Sequence, residues 1–334
     1  MRILVLGGTA WLGGEIARAA LSAGHEVTCL ARGESGSVPD GAQLVQADRE
    51  QASAYDAVAS QDWNLVADVS RQPGQVRSAC AALTGRAARY GFVSTGNVYA
   101  DHGTPGTDES AELLAPLDGD VMESLETYGE AKVACEQAVL GAFGPERTLI
   151  ARAGLIGGPG DMSGRTGYWP WRFARPSTDD GSVLVPEIGA APTQVIDVRD
   201  LASWIVQSAE AETSGVYNAT GDIVPFDEHI ATAREAAGHT GAIVTASPDW
   251  LAEHEVRPWM GERSLPLWLP MPDFAGFSTR DNTAARAAGL QSRPLKETLA
   301  DTLAWELEEG AERERGAGLS DADERELLLA LSPR

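Results

Sequence analysis

The chain has 334 residues, with 26 lysines and arginines against 49 aspartates and glutamates, which gives a formal net charge of −23. Its hydrophobic fraction of 43% is ordinary for a globular protein, and its charge repels phosphate groups, so the composition argues against wholesale disorder, nucleic-acid binding and anionic membranes. Lys132 and Lys296 are its two lysines, so arginine supplies nearly all of the positive charge.

The three cysteines, Cys29, Cys80 and Cys135, are widely spaced and form no metal-ligand pattern with the five histidines. We therefore expect reduced, mostly buried thiols in a cytoplasmic protein and no metal site. The sequence has no apolar run of the roughly 18 residues that a membrane span needs. The apolar run after Met1-Arg2 is typical of a buried strand and not of a signal peptide.

The first 160 residues alternate short β-branched runs with alanine-rich stretches. The predicted strands are 3–6, 26–30, 44–46, 65–69, 92–94 and 148–151. The predicted helices are 13–23, 53–60, 75–83 and 124–143. Because strands separated by helices need parallel crossovers, this order predicts an α/β fold, a doubly wound parallel sheet of the Rossmann type.

Tryptophan and proline become concentrated after residue 160, at 168–171 and 259–272. Strands predicted at 195–198 and 216–218 flank a helix at 200–211. The pattern predicts one domain of residues 1–160 and 194–223, and a smaller discontinuous domain of residues 161–193 and 224–305. Residues 306–334 form a charged tail, in which Leu319-Ser320-Asp321 either caps a short helix or belongs to a solvated, partly disordered segment.

A glycine-rich loop, residues 7–14 (GGTAWLGG), follows the first strand and opens the first helix. Glycines permit a tight turn and close approach to a pyrophosphate, whose charge the helix N-terminus stabilises. The loop therefore predicts a dinucleotide site, the alternative being a glycine-rich turn without a ligand. At the end of the second strand, Arg32 favours the 2′-phosphate of NADP(H), while the neighbouring Glu34 keeps NAD(H) open.

Tyr128 and Lys132 lie four residues apart in a predicted helix, which places them on one face. A fixed ammonium group favours the ionised form of a tyrosine, so the pair can exchange a proton with a substrate alcohol or carbonyl. Such pairs also arise by chance on helix surfaces. Because an ordinary surface cation of this chain would be arginine, the lysine at position 132 favours a functional role for the pair. Upstream, residues 92–99 (FVSTGNVY) bring hydroxyl groups to the end of a strand, where doubly wound sheets bind ligands, although a Ser/Thr-rich turn is the plainer alternative.

Five motifs follow one another in the order of a known family: the glycine loop, QADR at 46–49, STGNVY at 94–99, YGEAK at 128–132 and RAGLIGGPGD at 152–161. They resemble the short-chain dehydrogenase/reductase superfamily, in the extended or atypical branch called the NAD-dependent epimerase/dehydratase family. The resemblance covers residues 1 to about 305.

This resemblance implies roles for individual residues. Tyr128 would be the general acid/base, Thr95 would hydrogen-bond the reacting oxygen, and Lys132 would bind the nicotinamide ribose and favour ionisation of the tyrosine. The first domain would bind the dinucleotide and the second the substrate. The implied cofactor-binding residues are Gly7, Thr9, Ala10, Trp11, Leu12, Gly13, Arg32, Asp48, Ser70 and Lys132.

The sequence also departs from the family pattern. Ala10 replaces a middle glycine, and 68–70 (DVS) replaces a His/Leu-Ala-Ala type segment. Thr95 is followed by Gly-Asn and not by the Asp-Glu pair of nucleotide-sugar 4,6-dehydratases, and Thr193 stands where sugar-nucleotide enzymes often keep a diphosphate-binding arginine. Dehydratase chemistry and a nucleotide-sugar substrate are therefore disfavoured.

The expected function is an NAD(P)-dependent oxidoreductase that transfers hydride between nicotinamide and a small carbonyl or alcohol. One alternative is a cofactor-retaining epimerase of a sugar-like substrate. Another, of a different class, is a non-catalytic dinucleotide-sensing or RNA-binding protein. Four tryptophans either wall the substrate pocket or belong to the core of the second domain: Trp169, Trp171, Trp259 and Trp268.

The partner expected is a small molecule, with neither nucleic acid nor membrane. In relatives the helix that corresponds to 124–143 packs in a dimer interface. Its residues Val133, Val139 and Leu140 therefore suggest a homodimer.

Overall fold

The computed structural model describes residues 1–332 of the chain. The strands are β1 (Arg2–Leu6), β2 (Glu26–Ala31), β3 (Gln43–Gln46), β4 (Trp63–Asp68), β5 (Ala87–Thr95), β6 (Thr148–Ala153), β7 (Leu155–Gly157), β8 (Val183–Pro186), β9 (Pro192–Asp197), β10 (Gly215–Ala219), β11 (Ile223–Pro225), β12 (Ile243–Ala246), β13 (Arg257–Pro258) and β14 (Ser264–Leu265). The helices are α1 (Trp11–Ser22), α2 (Pro73–Leu83), α3 (Tyr128–Phe143), α4 (Tyr168–Ala174), α5 (Val198–Glu210), α6 (Phe226–Ala236), α7 (Pro248–Glu253), α8 (Thr283–Ala287), α9 (Leu295–Glu309) and α10 (Asp321–Leu331).

A seven-stranded parallel sheet in the order β10-β6-β5-β4-β1-β2-β3 forms the centre of the fold. The chain crosses over between β3 and β4, so the carboxyl ends of β1 and β4 adjoin at the reversal of strand order where such sheets bind ligands. The predicted α/β doubly wound parallel sheet is confirmed. The strands predicted in the first 160 residues all belong to it, although β5 begins five residues earlier than predicted, whereas the strand predicted at 195–198 is β9 of a separate small sheet.

Alternating side chains of the buried strands feed two hydrophobic layers, one on each face of the sheet. From β1, Ile3 and Val5 pack with α1 and α5, whereas Leu4 and Leu6 pack with α2 and α3. Burial on both faces explains why these strands are continuous apolar runs in the sequence.

A second region of the chain has its own hydrophobic cluster, built from α4, β8, α6, α7 and the C-terminal residues. Small sheets of order β11-β9-β7 and β12-β8 belong to this part of the fold. The boundary predicted at 305 falls inside α9. The division into a dinucleotide domain and a substrate domain stays a prediction.

Of the two alternatives for the C-terminal segment, the structure has the capped helix. The Ser320 hydroxyl accepts a hydrogen bond from the N–H of Asp323 and caps α10. Leu327 and Leu328 of α10 are buried in the second cluster, and the buried Glu324 lies 3.3 Å from Arg172.

The helix predicted at 53–60 is wrong, because this segment is a series of turns. Ala54, Tyr55 and Val58 pack into the core as a helical pattern requires. The carbonyl of Val58, however, accepts the indole N–H of Trp63 at 3.0 Å, and the Tyr55 hydroxyl is bound to Arg49 and to the Gln75 carbonyl. The backbone itself forms successive turns, with the N–H of Asp56 bonded to the Ser53 carbonyl and the N–H of Val58 to the Tyr55 carbonyl, each three residues earlier.

Within residues 1–332, no helix is both long and apolar enough to cross a membrane. The same residues contain no group of three or more His, Cys, Asp or Glu side chains placed to hold a metal ion. The three cysteines are buried free thiols, and burial raises the pKa of Cys29 to about 11.

Candidate active site

Two cavities lie at the carboxyl ends of the parallel strands, and Val69 lines both of them. The first, of about 370 Å³, is bordered by the glycine loop and the ends of β2, β3 and β4, and we call it the loop cavity. The second, of about 270 Å³, is bordered by the ends of β5 and β6 and the start of α3, and we call it the hydroxyl cavity. Together they form one elongated site at the position that the fold reserves for ligands.

The glycine loop turns sharply into α1. Gly7 has φ of +95°, a left-handed conformation that side chains rarely adopt, and a Cβ at Gly13 would overlap the Gly7 carbonyl oxygen. Ala10 stands at the N-cap, where no side chain of residues 1–332 caps the helix, and the first turn of α1 carries no acidic residue. The unclaimed N–H groups and the helix dipole therefore suit a bound anion.

Replacing Gly13 by alanine is expected to abolish dinucleotide binding. The added methyl group collides with backbone, which cannot move without opening the turn that begins at Gly7. Titration of NADPH fluorescence measures the affinity. Gly141→Ala is the matched control because a Cβ there meets nothing within 4 Å. Unchanged affinity in the Gly13 variant would contradict this account of the loop.

Several cofactor-site residues predicted from the sequence line the loop cavity: Gly7, Thr9, Ala10, Arg32, Asp48 and Ser70. Trp11 and Leu12 line the hydroxyl cavity instead, and Gly13 lines neither because it packs against the loop. Arg32 and Glu34 are both exposed and form an ion pair of 3.2 Å at the rim. Arg71, which belongs to no recognisable sequence motif, also borders this cavity.

A buried ion pair lies under the loop cavity. The guanidinium of Arg49 donates two hydrogen bonds of 2.7 Å to the Asp68 carboxylate, which also accepts from the Tyr90 hydroxyl and from the N–H of Ser70. Burial opposes ionisation of Asp68, but the charge of Arg49 and these hydrogen bonds outweigh it and hold the pKa of Asp68 below its usual range. The pair fixes the end of β4 next to the predicted site residue Ser70.

Lys132 is 3% exposed and firmly held. Its Nζ donates to the carbonyls of Val93 at 2.6 Å and Ser70 at 2.8 Å. It also lies 4.7 Å from the centroid of the Phe92 ring and 6.0 Å from that of Tyr128. Two of its three N–H groups thus join the ends of β4 and β5, which leaves one N–H for a ligand.

Thr95, Tyr128 and Lys132 all line the hydroxyl cavity. The Thr95 oxygen accepts the N–H of Asn97 at 3.3 Å, which leaves its proton free to donate. The Tyr128 hydroxyl has no hydrogen-bond partner among the described residues. Ser94, which the sequence analysis did not select, borders the same cavity and has a buried hydroxyl without a partner in residues 1–332.

The far wall of the hydroxyl cavity comes from later parts of the chain: Arg165, Trp259, Phe277 and Arg280. Of these four, the sequence analysis selected only the tryptophan, because the arginines lie in no recognisable motif.

The other tryptophans considered from the sequence do not line the hydroxyl cavity. Trp169 and Trp268 belong to the second hydrophobic cluster. Trp171 is buried against the guanidinium of Arg315, which lies 4.0 Å from its ring centroid. Thr193 is likewise a structural residue, because its hydroxyl donates to the Val224 carbonyl at 2.9 Å.

Two curated proteins are similar in sequence to this chain. A 3-diazoavenalumate denitrifying reductase of a Streptomyces species is 25% identical over 311 residues, which cover 86% of this chain and 92% of that protein. A 2′-dehydrokanamycin reductase of Streptomyces kanamyceticus is 27% identical over 266 residues, which cover 76% of this chain and 71% of that protein. No family model matches the chain.

Solved structures share the fold at lower identity. The UDP-N-acetylglucosamine 4-epimerase of Bacillus cereus superposes with a TM-score of 0.66 at 16% identity, over 95% of this chain and 100% of that one. The UDP-glucuronic acid 4-epimerase of Bacillus cereus, solved in complex with NAD, superposes with a TM-score of 0.60 at 15% identity, over 91% of this chain and 98% of that one. The chain thus has the fold of the extended short-chain dehydrogenases/reductases, the NAD-dependent epimerase/dehydratase family that its motifs resemble.

Proposed function

We propose that the protein is a reductase or dehydrogenase that transfers hydride between a nicotinamide dinucleotide and a small carbonyl or alcohol substrate. One observation carries the proposal: Thr95, Tyr128 and Lys132 border a single cavity that adjoins the glycine loop. The names of the two curated relatives, both reductases, support the direction of the chemistry.

The residues of the loop cavity suit a dinucleotide. The uncapped start of α1 suits the pyrophosphate, Asp48 would border the adenosine, and Ser70 lines the same cavity next to Lys132. Lys132, with one N–H unused, would bind the nicotinamide ribose. When bound, the nicotinamide supplies or accepts the hydride.

The side chains of the hydroxyl cavity handle the substrate oxygen. In reduction, Tyr128 donates a proton to the carbonyl oxygen of the substrate, and the carbonyl carbon receives hydride. In oxidation, both transfers run in the opposite direction. Thr95 donates a hydrogen bond to the same oxygen and so orients it. Lys132, fixed by two strand carbonyls, places a positive charge 6.0 Å from the centroid of the Tyr128 ring.

The function is tested by following NADPH absorbance with purified protein and a panel of small aldehydes and ketones. Steady turnover that depends on Tyr128 supports the proposal. A protein that binds NADPH but neither reduces a carbonyl nor oxidises an alcohol in the panel counts against it.

We further propose a preference for NADP(H). Two arginines that line the loop cavity, Arg32 and Arg71, support this preference, because a guanidinium can bind a 2′-phosphate and Arg32 would exchange its exposed partner Glu34 for that group. Arg32→Gln is expected to weaken NADPH binding about tenfold and to leave NADH binding unchanged, because one exposed charge-assisted contact is worth roughly 1 to 1.5 kcal/mol. Tighter binding of NADH than of NADPH by the wild-type protein would remove Arg32 from this role.

A small substrate fits better than a nucleotide sugar. The hydroxyl cavity measures about 270 Å³, near the lower end of ligand pockets. Thr193 is buried and bonded to Val224, so it offers nothing to a diphosphate.

An epimerase is the second candidate, favoured by the activities of the structural neighbours. An epimerase oxidises and re-reduces its substrate and therefore retains its cofactor. Cofactor that co-elutes with the protein on gel filtration would favour it, whereas freely exchanging cofactor favours the reductase. The third candidate, a non-catalytic sensor or RNA-binding protein, is disfavoured by the intact Tyr128 and Lys132 and by the charge of −23.

A homodimer and a cytoplasmic location stay proposals. Val133 and Val139 of α3 are buried within the subunit, which leaves the half-buried Leu140 of the three residues that suggested an interface. Light scattering measures the mass, and a single monomeric species would count against the dimer.

A further inference from the structure

The two arginines of the hydroxyl cavity lack carboxylate partners. Arg165 and Arg280 border this cavity together with Trp259 and Phe277, and within residues 1–332 neither guanidinium forms an ion pair. This is unexpected in a chain with almost twice as many acidic as basic residues.

Arg280 is the exception among the buried arginines. Arg49, Arg152 and Arg172 are also buried, and each forms an ion pair with a buried carboxylate. Arg280 is 2% exposed, yet its Nη1 donates to the Thr107 hydroxyl at 2.9 Å and its Nη2 to His102 Nδ1 at 2.8 Å.

Asp101 acts on Arg280 only through space, without a hydrogen bond or ion pair within residues 1–332. The guanidinium of Arg280 lies 4.1 Å from the centroid of the Tyr99 ring. Its Nε packs against Gly96 so closely that a Cβ added to this glycine would lie 3.0 Å away. Burial lowers the pKa of Arg280 to about 10. A buried cation bonded to neutral groups alone is costly, and a nearby anion would recover that cost.

Arg165 is half-buried and more accessible. Its Nε donates to the Ser163 hydroxyl at 3.1 Å, and its guanidinium lies 5.2 Å from the centroid of the Trp259 ring. The nearby Asp161 directs its two oxygens to Ser163 and Thr166. Both Nη groups of Arg165 therefore remain available in a planar fork, the geometry that matches a carboxylate.

Two aromatic side chains lie beside the arginines in the wall of the hydroxyl cavity. Trp259 and Phe277 meet edge to face at 5.3 Å between centroids. The flat ring of a substrate can pack on these aromatic side chains. A carboxylate on that ring could then reach the guanidinium of Arg165, which lies near the Trp259 ring.

We propose that the hydroxyl cavity binds a planar or cyclic substrate that carries a carboxylate, with the carboxylate bound by Arg165 beside the buried charge of Arg280 and the ring packed on Trp259 and Phe277. This inference rests on the proposed hydride transfer for the position of the reacting carbonyl, which would face Thr95 and Tyr128. It adds the charge and shape of the substrate, which Thr95, Tyr128 and Lys132 do not specify.

The test compares acids with neutral partners of the same shape. Three acids are used: 4-formylbenzoate, 3-formylbenzoate and 4-oxocyclohexanecarboxylate. Calorimetric titration measures how tightly each acid, and its carboxamide, binds to the NADP⁺-loaded protein. NADPH oxidation then measures turnover of the same compounds. The variants are Arg165→Gln and Arg165→Lys. The control is Arg86→Gln, which removes an exposed arginine paired with Asp62 at the opposite end of the sheet.

In the wild-type protein, at least one acid is expected to bind about 10- to 100-fold more tightly than its carboxamide, the range of a charge-assisted pair. Arg165→Gln should remove this preference, Arg165→Lys should keep part of it, and Arg86→Gln should keep all of it. NADPH affinity should be the same in all four proteins.

Three results would overturn the inference: no acid preferred over its carboxamide, a preference that survives Arg165→Gln, or an equal loss of NADPH affinity in that variant, which would assign Arg165 to the cofactor. A preference for acids without turnover would sustain the carboxylate site and count against hydride transfer. Turnover of neutral carbonyls without a preference for acids would support hydride transfer and count against the carboxylate site.

Discussion

Tyr128→Phe is expected to lower the rate of hydride transfer by roughly 10²- to 10⁴-fold, the contribution of a positioned general acid or base. The reason is local, because the variant loses the hydroxyl that exchanges a proton with the substrate and keeps the ring at the start of α3. NADPH affinity should be unchanged, since Lys132 stays bonded to the carbonyls of Ser70 and Val93. Single-turnover kinetics measure the rate, and fluorescence titration measures the affinity.

Tyr217→Phe is the matched control for this substitution. The Tyr217 hydroxyl donates to the Ser214 carbonyl on the edge strand β10, away from both cavities. Its removal should leave the rate of hydride transfer unchanged. If Tyr128→Phe retained the wild-type rate, the acid/base role of Tyr128 would be wrong.

Asp68→Asn is expected to cost about 3 to 5 kcal/mol in the free energy of unfolding at neutral pH, because it leaves the buried guanidinium of Arg49 without its counter-charge. Denaturant titration measures the change. Asp120→Asn, which breaks the exposed pair of Asp120 with Arg77, should cost less than about 1 kcal/mol. Equal costs in the two variants would contradict the importance assigned to burial.

The stability that Asp68 contributes depends on pH in a definite direction. Its pKa is lower in the folded than in the unfolded chain, so its contribution is complete above the unfolded value of about 3.9 and is lost as the pH falls further. The difference in stability between wild type and Asp68→Asn should therefore be constant above about pH 5 and shrink below about pH 4. A difference that grows on acidification would contradict this sign.

Much of the fold and half of the site follow from local sequence signals. The strands of the central sheet are buried on both faces and hence are continuous apolar runs, and the glycine loop and the Tyr128–Lys132 pair are short motifs whose spacing carries their chemistry. Segment 53–60 was mispredicted because its apolar residues have helical spacing while its backbone bonds mostly as three-residue turns, and the spacing alone does not distinguish the two.

The far wall of the hydroxyl cavity could not be predicted in the same way. Arg165, Phe277 and Arg280 are brought to β5 from more than 60 residues away, and each is an ordinary residue type in an unpatterned stretch. The two arginines are significant because neither forms an ion pair with a carboxylate within residues 1–332, and the sequence alone does not reveal such pairing. Ser94 was missed because its neighbour Thr95 accounted for the motif.

The measurement that tests the central claim most directly is a crystal structure of the protein with NADPH. The account predicts that the dinucleotide spans both cavities, with its 2′-phosphate beside Arg32, its pyrophosphate at the start of α1 and its nicotinamide in the cavity lined by Thr95, Tyr128 and Lys132. A nicotinamide ring bound outside that cavity, or separated by protein from the Tyr128 hydroxyl, would contradict it.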